Sequence, residues 1–259
     1  MTKDSEIKGM ELDFKNKRKT YFKSNYEEKN HSNWLRFERR ELINQWLGNI
    51  KNIRFVLDIG CGPAMLYPDA LMRCEKYWAL DLVDTNLEEI STSSSKISTI
   101  MQNIDEFSWN DKANPSVIIS SGSLEYSQNG VDNVNKLMSA LDENGVLIAS
   151  FPNRSSPFRI WTEFVHLPLK RVLSFSRDQS AIYKRSLYRF DRIVKEIEGS
   201  GGVIVEVKWL GYLFIPYPIS LLSPRLVYKM NKWIEKKLPS FDRYASEFVI
   251  YAVKKDMQR

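Results

Sequence analysis

Short apolar runs alternate with amphipathic segments along most of this chain. Each run has the length and the β-branched or aromatic content of a strand buried in a sheet. We predict seven strands, at residues 53–59, 77–82, 97–101, 116–121, 146–151, 203–209 and 248–253. Because the segments between them have helical periodicity, the pattern predicts one large α/β domain with additions.

Several intervening segments carry apolar residues at helical spacing. The first helix is predicted over residues 34–47, where Gly48 is a natural end and one face holds Leu35, Leu42, Ile43, Trp46 and Leu47. Further helices are predicted at residues 131–141 and 186–198. Thr85 and Glu88 form a Thr-x-x-Glu capping box, which predicts another helix start.

A glycine-rich turn follows the first predicted strand, in the order Asp58-Ile59-Gly60-Cys61-Gly62-Pro63. Glycine lets the backbone turn sharply and approach a ligand closely, because it has no Cβ. Asp81 ends the second strand, 21 residues after Gly60, which is the spacing at which an acid meets a ribose diol. Dinucleotide-binding and methyl-donor-binding folds share such glycines, so the glycines alone are a weak signal.

The stretch Val56-Leu57-Asp58-Ile59-Gly60-Cys61-Gly62-Pro63 resembles the first motif of class I S-adenosylmethionine (SAM)-dependent methyltransferases. The resemblance covers about residues 34–152, plus the helix predicted at residues 186–198 and the last two predicted strands. It implies a Rossmann-like α/β fold: a seven-stranded sheet, parallel with one antiparallel edge strand, flanked by helices. The expected organisation is a flexible segment 1–33 and a methyltransferase domain 34–259, with helical insertions 154–185 and 211–245 over the C-terminal strand ends.

The same resemblance implies SAM as the cofactor and a set of residues around it. Asp81 would hold the ribose, and the turn after the third strand would contact adenine. Tyr21 or Tyr26 would fold over the site, although a surface aromatic that packs locally is an equal alternative. The expected cofactor-binding residues are Asp58, Gly60, Cys61, Gly62, Asp81, Leu82, Asn103, Ile104, Asp105, Ser121 and Tyr21.

Methyl transfer from a sulfonium needs mainly the positioning of donor and acceptor, and a hydroxyl acceptor also benefits from a base. The chain has two histidines, and His166, in the first insertion, is better placed than His31. Glu125 and Tyr126 are rival pocket residues, in a Leu-Glu-Tyr where the family often shows Leu-Glu-His. A structural role is the alternative for His166. No His/Asp/Glu cluster has metal-ligand spacing, so no metal is expected.

The strand end at residues 120–123 reads Ser-Ser-Gly-Ser. Members of the resembled family that methylate the exocyclic amine of adenine or the side chain of glutamine carry Asn/Asp-Pro-Pro-Tyr/Phe at this strand end. Its absence argues against that kind of nucleic-acid or protein methylation. With no separate RNA-binding module visible either, nucleic acid is not the favoured partner.

The charge is unevenly distributed, although the net charge of the 259 residues is +6. Residues 55–152 carry a net charge of −9 and residues 153–259 one of +10. A basic acceptor side favours an anionic substrate, a nucleotide-sugar or an anionic lipid surface; a solvated Lys/Arg-rich surface is the alternative. Two cysteines without disulfide spacing, and no apolar run long enough to span a membrane, favour the cytoplasm or the inner face of a membrane.

The second insertion contains a helix that begins at Ser223-Pro224, with an apolar stripe of Leu226, Met230, Trp233 and Ile234 among basic residues. A lid, a dimer contact, a membrane-surface helix and simple packing on the domain are all compatible with it. Both a monomer and a homodimer remain open.

The sequence favours methyl transfer to a small-molecule or lipid-linked acceptor, above all a sugar hydroxyl in cell-surface polysaccharide synthesis. Quinone, lipid or natural-product acceptors, an RNA-directed enzyme, and a SAM-binding protein without turnover are alternatives. A NAD-dependent oxidoreductase would be distinguished by its cofactor.

Overall fold

A computed structural model of the chain describes residues 34–62, 68–82, 87, 94–107, 114–166, 168, 186–212 and 223–255. Its seven strands are β1 Phe55–Ile59, β2 Lys76–Asp81, β3 Ile97–Met101, β4 Val117–Ser120, β5 Val146–Pro152, β6 Gly202–Leu210 and β7 Glu247–Lys254. Its helices are α1 Trp34–Asn49, α2 Pro68–Arg73, α3 Gly130–Ala140, α4 Pro157–Trp161, α5 Phe190–Gly199 and α6 Pro224–Lys237. Two 3-10 helices, Leu124–Tyr126 and Pro239–Tyr244, and a π-helical turn, Thr162–His166, complete the described elements.

All seven strands form one sheet in the order β3-β2-β1-β4-β5-β7-β6. The first five strands are parallel to one another, and β7 is antiparallel to both of its neighbours, β5 and β6. The predicted fold class is therefore confirmed, with β6 at the edge and the antiparallel strand beside it. Since β1 pairs with both β2 and β4, the order of the strands reverses at β1. In α/β folds, ligands bind at the carboxyl ends of the strands where this reversal occurs.

Both faces of the sheet are covered, because alternate residues of a strand point to opposite sides. Val56 packs into a core beneath α1 with Ile43 and Leu47. Leu57 packs into a larger core on the other face, with residues of α3 and α5 such as Leu137 and Ile193. Burial on both faces explains why the strands read as continuous apolar runs.

The helix predicted at residues 186–198 starts later than expected, and this prediction was wrong at its N-terminal end. Helix α5 begins at Phe190, and the preceding segment is extended. Tyr188 forms a parallel bridge with Asn153, and its hydroxyl donates a hydrogen bond of 2.6 Å to the Leu124 carbonyl. A contact distant in sequence therefore overrides the helical pattern of this segment.

The apolar stripe predicted on α6 is divided in the structure. Val227, Asn231 and Ile234 are buried, whereas Leu226, Met230 and Trp233 are 50%, 37% and 58% exposed. Only Ile234 of the predicted stripe is therefore buried, because the buried side of the helix is rotated towards Val227 and Asn231. None of the helices in the described ranges is long and apolar enough to cross a membrane.

Several predictions lie outside the residues that the structure describes. These are the flexible segment 1–33, with Tyr21 and Tyr26, and the capping box of Thr85 and Glu88. The insertions at 154–185 and 211–245 are described only over 154–166, 168, 211–212 and 223–245. Their described parts follow β5 and β6, whose ends lie at the same edge of the sheet.

Candidate functional site

The glycine turn closes the carboxyl end of β1. Gly60 and Gly62 adopt φ angles of 63° and 57°, which L-residues with side chains rarely adopt. The backbone N–H groups of Gly60 and Cys61 both donate to the Leu80 carbonyl, at 2.7 and 3.2 Å. A Cβ on Gly60 would lie 2.3 Å from the Ser123 Cβ. The turn is therefore held against the ends of β2 and β4, and only glycine fits at residue 60.

Asp81 connects this turn to β2. Its Oδ2 accepts a hydrogen bond of 2.8 Å from the Gly62 N–H, and the residue is 8% exposed. The structure thus brings the predicted acid and the glycine turn together, as their spacing indicated. Leu82 follows directly and is half-buried. A carboxylate fixed at a strand end beside a glycine turn can accept hydrogen bonds from a vicinal diol.

The serine-rich segment after β4 joins three strand ends. The Ser123 hydroxyl donates to the Ile59 carbonyl at 2.7 Å, so the Ser120 hydroxyl, also 2.7 Å away, donates to Ser123. The Gly122 N–H donates to the Ser150 hydroxyl at 2.8 Å. This segment therefore holds the ends of β1, β4 and β5 in fixed relative positions. The predicted Ser121 is half-buried among these residues.

The turn after β3 contains Asn103, Ile104 and Asp105, all half-buried. Asn103 Oδ1 accepts a hydrogen bond of 3.0 Å from the Asp105 N–H, which fixes the turn from within. Ile104 packs partly against the larger core. The turn lies at the carboxyl end of β3, next to β2, on the same edge as Asp81.

Comparison with solved structures finds methyltransferases with this architecture. A protein of Listeria monocytogenes, assigned as a SAM-dependent methyltransferase, has a TM-score of 0.58 at 18% identity, covering 86% of this chain and 99% of that one. A protein of Haloferax volcanii assigned as a methyltransferase, in complex with the Trm112 methyltransferase activator, has a TM-score of 0.63 at 12% identity, covering 96% and 98%. Magnesium protoporphyrin IX methyltransferase of Synechocystis PCC 6803, with bound S-adenosylhomocysteine, has a TM-score of 0.52 at 13% identity, covering 84% and 83%.

The chain has the class I methyltransferase fold. No protein-family model and no curated protein matches the sequence. At these identities the solved structures establish the architecture. Which ligands the methyltransferase fold serves here must be argued from the chain's own residues.

Asp58, the acid of the glycine motif, lies beneath the turn of the methyltransferase fold. It is 1% exposed, and its Oδ2 accepts a hydrogen bond of 2.7 Å from the Tyr77 hydroxyl. Burial raises the pKa of the Asp58 carboxyl to about 7, opposed by the Tyr77 hydrogen bond and assisted by the negative charge of Asp81. Cys61 is also 1% exposed, and burial raises the pKa of its thiol. Direct ligand contact by either side chain stays a prediction.

The raised pKa of Asp58 makes stability depend on pH. In the folded chain Asp58 holds its proton up to about pH 7, whereas in the unfolded chain it ionises near 3.8. The stabilising contribution of Asp58 is therefore fully present below the pKa of the unfolded chain and is lost as pH rises through the pKa of the folded chain. We expect Asp58→Asn to gain stability relative to the natural chain, by about 1.4 kcal/mol per pH unit within that window. Urea unfolding of both proteins at several pH values measures this, and a constant difference would contradict it.

Asp105, a predicted adenine contact, has its carboxylate engaged by the chain itself. It accepts hydrogen bonds of 2.7 to 3.2 Å from the Ser127 hydroxyl, the Gln128 and Asn129 N–H groups and the Asn133 amide. Burial would raise the pKa of Asp105, but these hydrogen bonds outweigh it and lower the pKa. The residue therefore fastens the turn after β3 to the start of α3, and little of its accepting capacity is left for a ligand.

The three predicted catalytic residues lie on two elements. Glu125 and Tyr126 are half-buried in the 3-10 helix after β4, where the Glu125 carbonyl accepts a hydrogen bond of 2.8 Å from the Ser186 N–H. His166 is half-buried at the end of the π-helical turn after α4. The first element follows β4, and the second follows β5 and α4. Their catalytic roles stay predictions.

Sequence reasoning missed a buried charge cluster at the same edge. Arg39 of α1 donates to Glu247 at 3.0 Å, and Arg159 of α4 lies 3.9 Å from the same carboxylate oxygen. These side chains are 10%, 4% and 11% exposed. Arg39 Nη2 would be 2.9 Å from a Cβ on Gly122, so the cluster touches the segment after β4. One signal was available, because Arg39 lies at helical spacing between apolar residues of α1.

Proposed function

We propose that this chain is a SAM-dependent methyltransferase that transfers the methyl group to a hydroxyl of a small-molecule or lipid-linked acceptor. The favoured acceptor is a sugar hydroxyl in cell-surface polysaccharide synthesis. The observation that carries the cofactor assignment is Asp81, whose carboxylate is held against the glycine turn at the point where the strand order reverses. Solved structures of the same fold contain SAM or S-adenosylhomocysteine, which supports the assignment.

Each part of the site has a task in this proposal. Asp81 accepts hydrogen bonds from the ribose hydroxyls, and the backbone of the Gly60–Gly62 turn lets the cofactor approach β1. Ile104 lies against the adenine ring, and the Asn103 amide donates to a ring nitrogen. A side chain at residue 60 would not fit in the glycine turn, because Ser123 fills that space.

The methyl donor brings its own leaving group, so the protein mainly positions the acceptor. Glu247 Oε1 is buried and has no hydrogen-bond partner in the described part of the chain. Because the cluster of Arg39, Arg159 and Glu247 contacts the segment after β4, an acceptor hydroxyl would satisfy this oxygen. Two arginines share one carboxylate there, and the excess positive charge favours an anionic acceptor. His166 or Glu125 would take up the hydroxyl proton.

The cofactor assignment is tested by titration calorimetry with S-adenosylhomocysteine and, separately, with NAD. We expect micromolar binding of S-adenosylhomocysteine, weakened about tenfold or more in Asp81→Ala, because the ribose loses a charged acceptor. The exposed Glu198, far along α5, gives the matched control Glu198→Ala, which should bind like the natural chain. Preference for NAD, or an unchanged affinity in Asp81→Ala, would refute the proposal.

Transfer itself is tested with labelled SAM and an acceptor panel of nucleotide-sugars, glycolipids, quinones and RNA. Methylation of a sugar hydroxyl supports the favoured acceptor. Methylation of a quinone or of RNA identifies one of the alternatives instead. Cofactor binding without label transfer to any acceptor would favour a SAM-binding protein without turnover.

A further inference from the structure

The overhanging segments carry most of the exposed large apolar side chains. Among the described residues, twelve large hydrophobic side chains are exposed, and nine of them lie on α4, its following turn, α6 or the 3-10 helix after α6. The other three are Met72, Met101 and Val205. Scattered apolar exposure is ordinary, but a concentration on one set of elements marks an interaction surface.

The clearest part of this surface is on α6. Leu226, Met230 and Trp233 lie four and three residues apart, on a face of the helix adjacent to that of the buried Val227 and Asn231. We call these three side chains the apolar ridge. Phe241 and Tyr244, 38% and 47% exposed, continue the apolar surface on the 3-10 helix that follows.

The orientation of α6 is fixed by its other side. The Asn231 side chain accepts a hydrogen bond from the Tyr212 N–H, and Lys232 forms an ion pair of 3.0 Å with Glu38 of α1. The rings of Tyr228 and Trp34 meet edge to face, with centroids 5.7 Å apart. The apolar ridge is therefore exposed on a helix whose other side is packed against the domain.

The polar surroundings of the apolar ridge are positively charged. Residues 223–244 contain six Lys or Arg and two acids. Of the acids, Glu235 pairs with Lys232 at 2.7 Å and Asp242 accepts from the Tyr212 hydroxyl. The remaining cations are exposed, at Arg225, Lys229, Lys236, Lys237 and Arg243. An apolar ridge with a Trp and flanking cations is the composition of a helix that lies in the interface of an anionic membrane.

We propose that α6 and the 3-10 helix after it form a membrane-docking surface, on which the apolar ridge enters the headgroup region of an anionic lipid bilayer. A second copy of the chain fits this surface poorly, since an isologous contact would bring the cations of both copies together. The surface belongs to the edge that carries the candidate site, because the end of β6 pairs with the start of β7 there. Lipid binding would occur whether or not the chain transfers methyl groups, and with the proposed function it would present the site to lipid-linked acceptors.

The test is flotation of the full chain with vesicles of phosphatidylcholine, alone or mixed with phosphatidylglycerol. We expect binding to the mixed vesicles, at least about tenfold weaker binding to the neutral ones, and loss of binding at high salt. Met230→Ser/Trp233→Ser should weaken binding to the mixed vesicles about tenfold or more, and Lys236→Glu/Lys237→Glu should do the same. The control Met72→Ser, which changes an exposed methionine of α2, should bind like the natural chain.

Retained S-adenosylhomocysteine binding in the ridge variants shows that they are folded, and it separates this test from that of the proposed function. Absence of binding to the mixed vesicles, or equal binding by Met230→Ser/Trp233→Ser and the natural chain, would overturn the proposal. So would a dimer in analytical ultracentrifugation that Met230→Ser/Trp233→Ser dissociates, because the apolar ridge would then be an interface between copies.

Discussion

Replacing Gly60 with alanine is expected to destabilise the chain by about 2–4 kcal/mol and to weaken S-adenosylhomocysteine binding at least about a hundredfold. The new Cβ would meet the Ser123 Cβ at 2.3 Å, at a φ of 63° that alanine rarely adopts. Relief of the clash must move either the turn or the segment after β4. Either movement disturbs the hydrogen bond from Ser123 to Ile59 and the placement of the turn beside Asp81.

Gly48→Ala is the matched control for this change. Gly48 lies near the end of α1, with no atom within 4 Å of a Cβ built on it. Alanine there should be neutral or stabilising by up to about 1 kcal/mol, since glycine is the poorer helix former. Urea unfolding and calorimetry of the two variants check the prediction. Normal stability and affinity in Gly60→Ala would show that the turn is looser than described and plays no part in cofactor binding.

Glu247→Gln is expected to lower the free energy of unfolding by about 3–5 kcal/mol. Glu247 is the shared acid of Arg39 and Arg159, and all three side chains are about nine-tenths buried or more. Loss of its charge leaves two guanidinium groups in a poorly solvated place, where an uncompensated charge is costly. Because Arg39 lies on α1, Arg159 on α4 and Glu247 on β7, the change should loosen both helices from the edge of the sheet.

An exposed ion pair serves as the comparison for Glu247→Gln. Arg189 and Asp191 are 2.9 Å apart, with side chains 63% and 68% exposed. Water already solvates both groups, so Asp191→Asn should change the free energy of unfolding far less than Glu247→Gln does. Urea unfolding measures both variants, and hydrogen exchange of α1 shows whether that helix is loosened. Equal, small effects of Glu247→Gln and Asp191→Asn would contradict the assignment of a tightly coupled buried cluster.

Much of the candidate cofactor site could be predicted because its parts are close in sequence. The glycine turn and Asp81 belong to one strand-turn-helix-strand unit. The number of residues in that unit fixes the position of Asp81 at the end of the second strand. The structure accordingly places Asp81 against Gly62. Predicted and observed strands agree to within two residues, as for β3 at Ile97–Met101, since continuous burial leaves an unmistakable apolar run.

The errors occurred where a distant contact decides the local structure. Residues 186–189 have the periodicity of a helix, but Tyr188 is extended because it pairs with the end of β5 and reaches Leu124. For Asp105, whose adenine contact stays a prediction, the structure adds four hydrogen-bond donors from residues 127–133 around the carboxylate. Neither contact partner can be identified from the residues near it in the sequence.

By itself the sequence determined the order of strands and helices, the glycine turn with its acid, and the charge difference between the two parts of the chain. Those features depend on neighbours along the chain, where periodicity and backbone freedom act directly. Only the tertiary structure decided that Arg39 meets Glu247, 208 residues away, and which side of α6 is buried. Burial of a side chain depends on what the folded sheet brings against it, and the apolar pattern of α6 is the same whether its ridge faces the domain or a membrane.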